Sequence, residues 1–204
     1  MHSEILTEKQ KSIAPILKKY SNDFGLVGGT AIALHIGHRE SIDFDLFSYK
    51  EFDNLNIRKI ITSSEKEIKR VIRDEKGEFT FILDGVQMTF FHYPFYIKFE
   101  DDFEGIIKTP SLLTLAAMKA YALGRRVKWK DYVDLYFILK DFYSIEDISK
   151  KAKEIFKGEF NEKILKEQLV YFEDIDYSEE VIYKKGYEVS SEEVKDSLKK
   201  FVVV

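Results

Sequence analysis

LVGGTAIALHIGHRESIDFDLF, Leu26 to Phe47, is the stretch on which the reading of this chain turns. A short apolar run, Phe24 to Val27, stops at Gly28 and Gly29. Thr30 to His38 then carries small and apolar residues at helical spacing. Ser41 to Ser48 (SIDFDLFS) alternates strictly, the period of a strand with one buried face. Period two puts Ser41, Asp43 and Asp45 on one face and Ile42, Phe44 and Leu46 on the other. The predicted order is strand, glycine turn, helix, strand. Glycines at such a turn let the backbone approach a phosphate closely, and the first helical turn offers free N–H groups and a positive dipole end. Thr30 adds a hydroxyl donor. Two carboxylates side by side on one strand face repel each other and call for a cation. Magnesium, or manganese in its place, is the natural one, because it takes oxygen ligands and joins carboxylates to substrate phosphates. Asp43 and Asp45 are therefore the expected metal ligands. Gly28, Gly29 and Thr30 are the expected phosphate-binding residues.

Outward from this stretch, residues 3–21 predict an amphipathic helix interrupted near Pro15, and residues 51–63 predict another. Three strands are expected at 66–74, 78–83 and 86–93, with Asp84-Gly85 as a two-residue hairpin turn between the last two. The later sequence changes character. Thr109-Pro110 suggests a cap and first turn for a helix over 111–123, with Gly124 at its end. Residues 129–141 and 161–173 predict helices. Ser144-x-x-Asp147 and Ser190-x-x-Glu193 resemble capping boxes opening two more, near 145–157 and 191–201. The expected fold class is α+β, a mixed β-sheet with flanking helices over residues 1–108 and a helical lobe over 109–204.

Composition narrows the function classes. The 204 residues carry no cysteine, which excludes disulfides, thiol nucleophiles and cysteine-based zinc sites. His35, His38 and His92 lack metal-ligand spacing. A formal net charge of −4 argues against a general nucleic-acid coat. No apolar run is long enough to span a membrane and no secretory signal is visible, so no membrane partner is expected and the cytoplasm is the expected location. The aromatic series Phe90, Phe91, Tyr93, Phe95 and Tyr96 admits two readings, core packing or a surface on which a base stacks.

Gly28-Gly29-Thr30, Arg39, Ser41 and Asp43-Phe44-Asp45 together resemble the signature of the nucleotidyltransferase fold. The fuller GGTAIALHIGHRESIDFDLF is most similar to the AbiEii/AbiGii-type toxin nucleotidyltransferases. KAYALGRRVKWKDYVDLYFIL, Lys119 to Leu139, resembles that family's later motif, so the resemblance spans residues 26–139 in two segments. It implies a nucleotidyltransferase-type sheet, nucleotide-binding roles for Arg39 and Ser41, and an active-site cleft completed by the helical lobe.

The second motif also has a reading from its residues. Lys119, Arg125, Arg126, Lys128 and Lys130 are five positive charges in twelve residues without an acid among them. A triphosphate needs such neutralisation. Asp131 and Asp134 share a helical face. Plain alternatives stand beside this reading: Asp131 favouring a helix N-terminus, Lys130 and Asp134 as an ordinary i,i+4 pair, and the basic run as a solvated face. One departure is visible. Many nucleotidyltransferases place a third carboxylate on a later strand, whereas residues 86–92 (VQMTFFH) offer Gln87 and Thr89. The resemblance implies that Lys119 and Asp131 complete the site instead.

The expected reaction is transfer of a nucleoside monophosphate from ATP, GTP, CTP or UTP to an acceptor hydroxyl. Asp43, Asp45, Lys119 and Asp131 are the expected catalytic residues. Gly28, Gly29, Thr30, Arg39, Ser41, Arg126, Lys128 and Asp134 are the expected nucleotide-binding residues. The acceptor is an RNA, such as a tRNA end, with a cognate antitoxin as partner. A small hydroxylated molecule as acceptor, or a non-catalytic nucleotide-binding protein, are the other two classes.

Overall fold

The computed structural model describes residues 1–123, 125 and 128–203 of the chain. They divide into two compact units, Met1–Ser111 and Leu112–Val204.

The first unit opens with helix α1 (Glu8–Leu17), shorter than the expected 3–21. Thr7 and Gln10 form a reciprocal cap that fixes its start. Pro15 lies inside it, and the chain tightens into a 3-10 turn at Lys18–Tyr20. Strand β1 (Gly25–Val27) leads through the glycine turn into α2 (Gly28–Ile36), and β2 (Phe44–Ser48) follows. After α3 (Asn54–Thr62) come β3 (Ile68–Glu75), β4 (Glu78–Leu83) and β5 (Val86–His92). A small hairpin of β6 (Asp101–Phe103) and β7 (Ile107–Thr109), absent from the sequence reading, ends the unit.

The main sheet has the order β1-β2-β5-β4-β3. The β2–β5 pairing is parallel and the other three are antiparallel, so the sheet is mixed, as expected. Asp84 and Gly85 both take positive φ, the geometry of the tight hairpin their sequence announced. Leu26, Phe44, Leu46, Phe79, Phe81, Met88 and Phe90 point to the core face, none more than marginally accessible. Phe90 is thereby a core residue, with Tyr20, Phe24 and Phe81 around its ring. Helix α2 brings Ala31, Ala33 and Leu34 into the interior. Truncating a buried leucine such as Leu34 to alanine typically costs about 2–5 kcal/mol.

Two expectations fail here for identifiable reasons. The strand expected over 41–48 starts only at Phe44, and Ile42, placed on the buried face by alternation, is 52% exposed. Just before the strand the Asp43 carbonyl accepts from the Thr30 hydroxyl, a bond from outside the sheet. Thr109 does not cap a helix. Preceding a proline it stays extended and pairs with Asp101 as the last residue of β7.

The second unit holds α4 (Leu112–Leu123), α5 (Trp129–Asp141), α6 (Ile145–Phe156), α7 (Glu162–Val170) and α8 (Ser191–Val203). Gly124, the expected helix end, lies outside the described residues. Ser144 and Asp147 form the reciprocal capping box read from the sequence, and Ser190 Oγ accepts from the Glu193 amide. Tyr121 stacks on Phe156 with centroids 4.0 Å apart, and Val194 and Leu198 bury one face of α8. Among the described residues no helix is long and apolar enough to cross a membrane.

Candidate active site

The first unit assembles one constellation at the N-terminal end of α2. Gly28 has φ +73°, and a Cβ built on it would lie 2.2 Å from Asp45 Oδ2. No side chain fits there: the glycine provides both the left-handed backbone and the room for the carboxylate. At Gly29 a Cβ would sit 2.7 Å from an Arg39 guanidinium nitrogen and 3.5 Å from Ser41 Oγ. Arg39 is 2% exposed, an unusual position for a guanidinium, and donates to the Glu40 carbonyl oxygen at 2.9 Å. The Thr30 hydroxyl, also 2% exposed, donates to the Asp43 backbone carbonyl and is hydrogen-bonded to Ser41 Oγ at 2.8 Å. That hydroxyl is turned inward, where it ties the first turn of α2 to the approach of β2. Asp43 and Asp45 remain half-buried. Gly28, Gly29, Thr30, Arg39, Ser41 and Asp45 are thus brought together, with Asp43 fixed through its backbone.

Beside this constellation the sheet register is informative. Asp45 pairs with Val27 on β1 and with Thr89 on β5. Paired residues share a face, so Thr89 stands next to Asp45 where a third strand carboxylate would be. Among the described residues no group of three or more His, Cys, Asp or Glu is placed to hold a metal ion.

The second unit holds a different arrangement. Lys119 on α4 meets two carboxylates of α5, Asp131 at 2.7 Å and Asp134 at 2.9 Å. All three are buried, their side chains 5%, 4% and 0% exposed. The three-residue spacing of the aspartates aims both at one ammonium, so Asp134 pairs with Lys119 and not with Lys130. The basic run around them is matched by acids remote in sequence. Arg125 pairs with Glu159 at 3.3 Å and lies over the Tyr121 ring. Lys128 and Lys130 both reach Glu179. Lys128, expected to bind nucleotide, is therefore engaged by Glu179 within its own unit. Arg126 lies outside the described residues.

Comparison with known proteins now decides the assignment. Residues 16–201 match the family model described as nucleotidyl transferase AbiEii toxin, type IV toxin–antitoxin system. The chain belongs to the AbiEii nucleotidyltransferase toxin family. A relative in Aquifex aeolicus (strain VF5), the uncharacterized protein aq_aa25, is 33% identical over 186 residues, covering 89% of this chain and 87% of its own. Two solved structures share the fold. JHP933 from Helicobacter pylori is 17% identical with a TM-score of 0.63, covering 97% of this chain and 92% of its own. The nucleotidyltransferase toxin MenT4 from Mycobacterium tuberculosis H37Rv is 13% identical with a TM-score of 0.65, covering 96% and 82%.

For this AbiEii-family chain, the sequence reading overlooked the acids that match the basic run, because Glu159 lies 34 residues from Arg125 and Glu179 lies 49 or more from Lys128 and Lys130. It named both Gln87 and Thr89 on the later strand, and the register selects Thr89 as the neighbour of Asp45. The parallel pairing of two strands separated by a helix and a hairpin sets that register, and no local pattern encodes it.

Proposed function

We propose that this AbiEii-family nucleotidyltransferase transfers a nucleoside monophosphate from a nucleoside triphosphate to the hydroxyl of an RNA end, such as that of a tRNA. The acceptor hydroxyl gives up its proton to a carboxylate or to water, its oxygen bonds to the α-phosphorus while the bond to the bridging oxygen of the β-phosphate breaks, and pyrophosphate leaves with the electron pair. One observation carries the reading: the space a side chain at Gly28 would fill is occupied by the Asp45 carboxylate, so glycine turn and aspartates form one site. Family membership supplies the reaction class.

The donor set fits a hard divalent cation. It consists of oxygens only, and two half-buried carboxylates leave most of a coordination shell to water and phosphate, which suits magnesium or manganese. Asp43 and Asp45 would hold that ion, which neutralises charge on the phosphates when bound. The backbone of Gly28 and Gly29 at the start of α2 faces the phosphates with free N–H groups. Thr30 and Ser41 act as a latch that holds Asp43 in place. Arg39 backs the glycine turn with a fixed positive charge. Catalysis is then mostly positioning and preorganised electrostatics. Lys119 and Asp131 are proposed participants in the same reaction, Lys119 as the cation that fixes Asp131 and Asp134.

The test is incubation with each of the four α-labelled nucleoside triphosphates and total RNA, with magnesium, with manganese, and with chelator. The expected result is label on a discrete RNA band with at least one nucleotide and none in chelator. Label on no RNA with any nucleotide, while a small hydroxylated acceptor is labelled, would replace RNA as the acceptor.

A further inference from the structure

The sheet face that carries Asp45 differs from the core face behind it. Along β2 the side chains on this face run Asp45, Phe47; along β5 they run Thr89, Phe91, with Asp45 paired to Thr89 and Phe47 paired to Phe91. Phe47 and Phe91 are only half-buried, whereas Phe44, Leu46, Met88 and Phe90 on the other face have no accessible surface. The two rings are 5.3 Å apart, and Tyr93 extends the group, 5.0 Å from Phe47 and 6.3 Å from Phe91. Two residues along a strand span about 6.6–6.8 Å, so the flat rings begin one strand repeat beyond the carboxylate. Along the strands the face therefore changes character in one step, from the level of the glycine turn, Asp45 and Thr89 to the level of the aromatic rings. A nucleotide changes character in the same sense, from anionic phosphates at one end to a flat apolar base at the other.

We infer that Phe47 and Phe91 form the platform on which the base of the nucleoside triphosphate stacks, with its phosphates at Asp45 and the glycine turn. The inference rests on the proposed nucleotidyltransferase reading and adds the base subsite to it. Stacking against a phenylalanine face tolerates every base, since each has a π-face. The platform consequently contributes affinity for all four nucleotides with little discrimination among them.

The experiment measures binding of the four nucleoside triphosphates and of inorganic tripolyphosphate, each with magnesium, to wild type, Phe91→Leu and Phe91→Trp. Phe91→Leu keeps an apolar side chain at the position, and unfolding curves run alongside check the fold. Removing a stacking partner weakens nucleotide binding by about 5- to 150-fold. The expected result is such a loss in Phe91→Leu for all four nucleotides, recovery in Phe91→Trp, and unchanged tripolyphosphate binding throughout. Equal losses for nucleotides and tripolyphosphate, or no loss, would overturn the platform and leave the nucleotidyltransferase reading standing. Wild type that binds neither nucleotide nor tripolyphosphate would overturn the reading itself.

Discussion

Two groups of charged residues lie in the two units of this protein, and they solve opposite problems. At the glycine turn, two carboxylates two residues apart stay half-buried, Asp45 on the sheet and Asp43 just before the strand begins, and Gly28 gives up its side chain so that Asp45 fits. In the helical unit, Asp131 and Asp134 are buried, and Lys119 sits between them at 2.7 and 2.9 Å. Half-buried carboxylates stay close to water, so replacing one by a neutral group perturbs the fold little. Like charges buried around a lysine are costly to disturb, because removing one partner leaves charge in a low-dielectric interior. The first group is accordingly open to a ligand, whereas in the second Lys119 holds Asp131 and Asp134 in fixed positions.

The largest expected effect tests the second half of that contrast. Lys119→Met should lower unfolding free energy by about 3–5 kcal/mol, the usual consequence of breaking a buried ion pair, read from urea unfolding monitored at Trp129. Unchanged stability with label transfer lost would mean that Lys119 acts on the triphosphate directly. A smaller effect is expected at the glycine turn. Gly28→Ala places an L-residue at φ +73° and a methyl group against Asp45 Oδ2. The backbone alone costs about 1–2 kcal/mol, so the melting temperature should fall by several degrees and label transfer should drop more steeply than stability. Full transfer in this variant would break the link between glycine and aspartate.

The smallest effect sharpens the comparison from outside both groups. His35 on α2 is hydrogen-bonded through Nε2 to the Pro110 carbonyl at 3.1 Å, with Asp101 3.8 Å away. Burial pushes its pKa below the ordinary 6.5, against the pull of Pro110 and Asp101. The folded state thus prefers neutral imidazole, while the unfolded chain takes up its proton near pH 6.5. This contribution to stability is fully present above pH 6.5 and is lost as pH falls through the lowered folded value. His35→Gln should flatten the fall in melting temperature between pH 7.5 and 5. An unchanged pH profile would show that other groups govern it.

The two groups also differ in how much of them could be read from the chain. The glycine turn, α2 and Asp43-x-Asp45 lie within one local stretch, and period and turn chemistry were enough to name them. Even there the start of β2 was misplaced by three residues; Thr30 holds the Asp43 carbonyl just before the strand, and alternation does not report such a side-chain bond. In the helical unit, the five helices and the caps at Ser144 and Ser190 were legible, but the charge balance was not. Arg125, Lys128 and Lys130 read as an electropositive run only until Glu159 and Glu179 arrive from elsewhere in the chain. The choice of Thr89 as the neighbour of Asp45 and the half-buried aromatic pair Phe47 and Phe91 likewise depend on a parallel pairing that local sequence does not encode.

The central claim is that the half-buried aspartate pair serves chemistry and not the fold. Single-turnover label transfer and thermal unfolding of Asp45→Asn, measured beside wild type with magnesium present, test it most directly. The amide keeps the shape and removes the charge. The account predicts a 100- to 1000-fold slower transfer, about 3–4 kcal/mol, with a melting temperature close to that of wild type. Transfer at the wild-type rate, or a melting temperature lowered by many degrees, would contradict it.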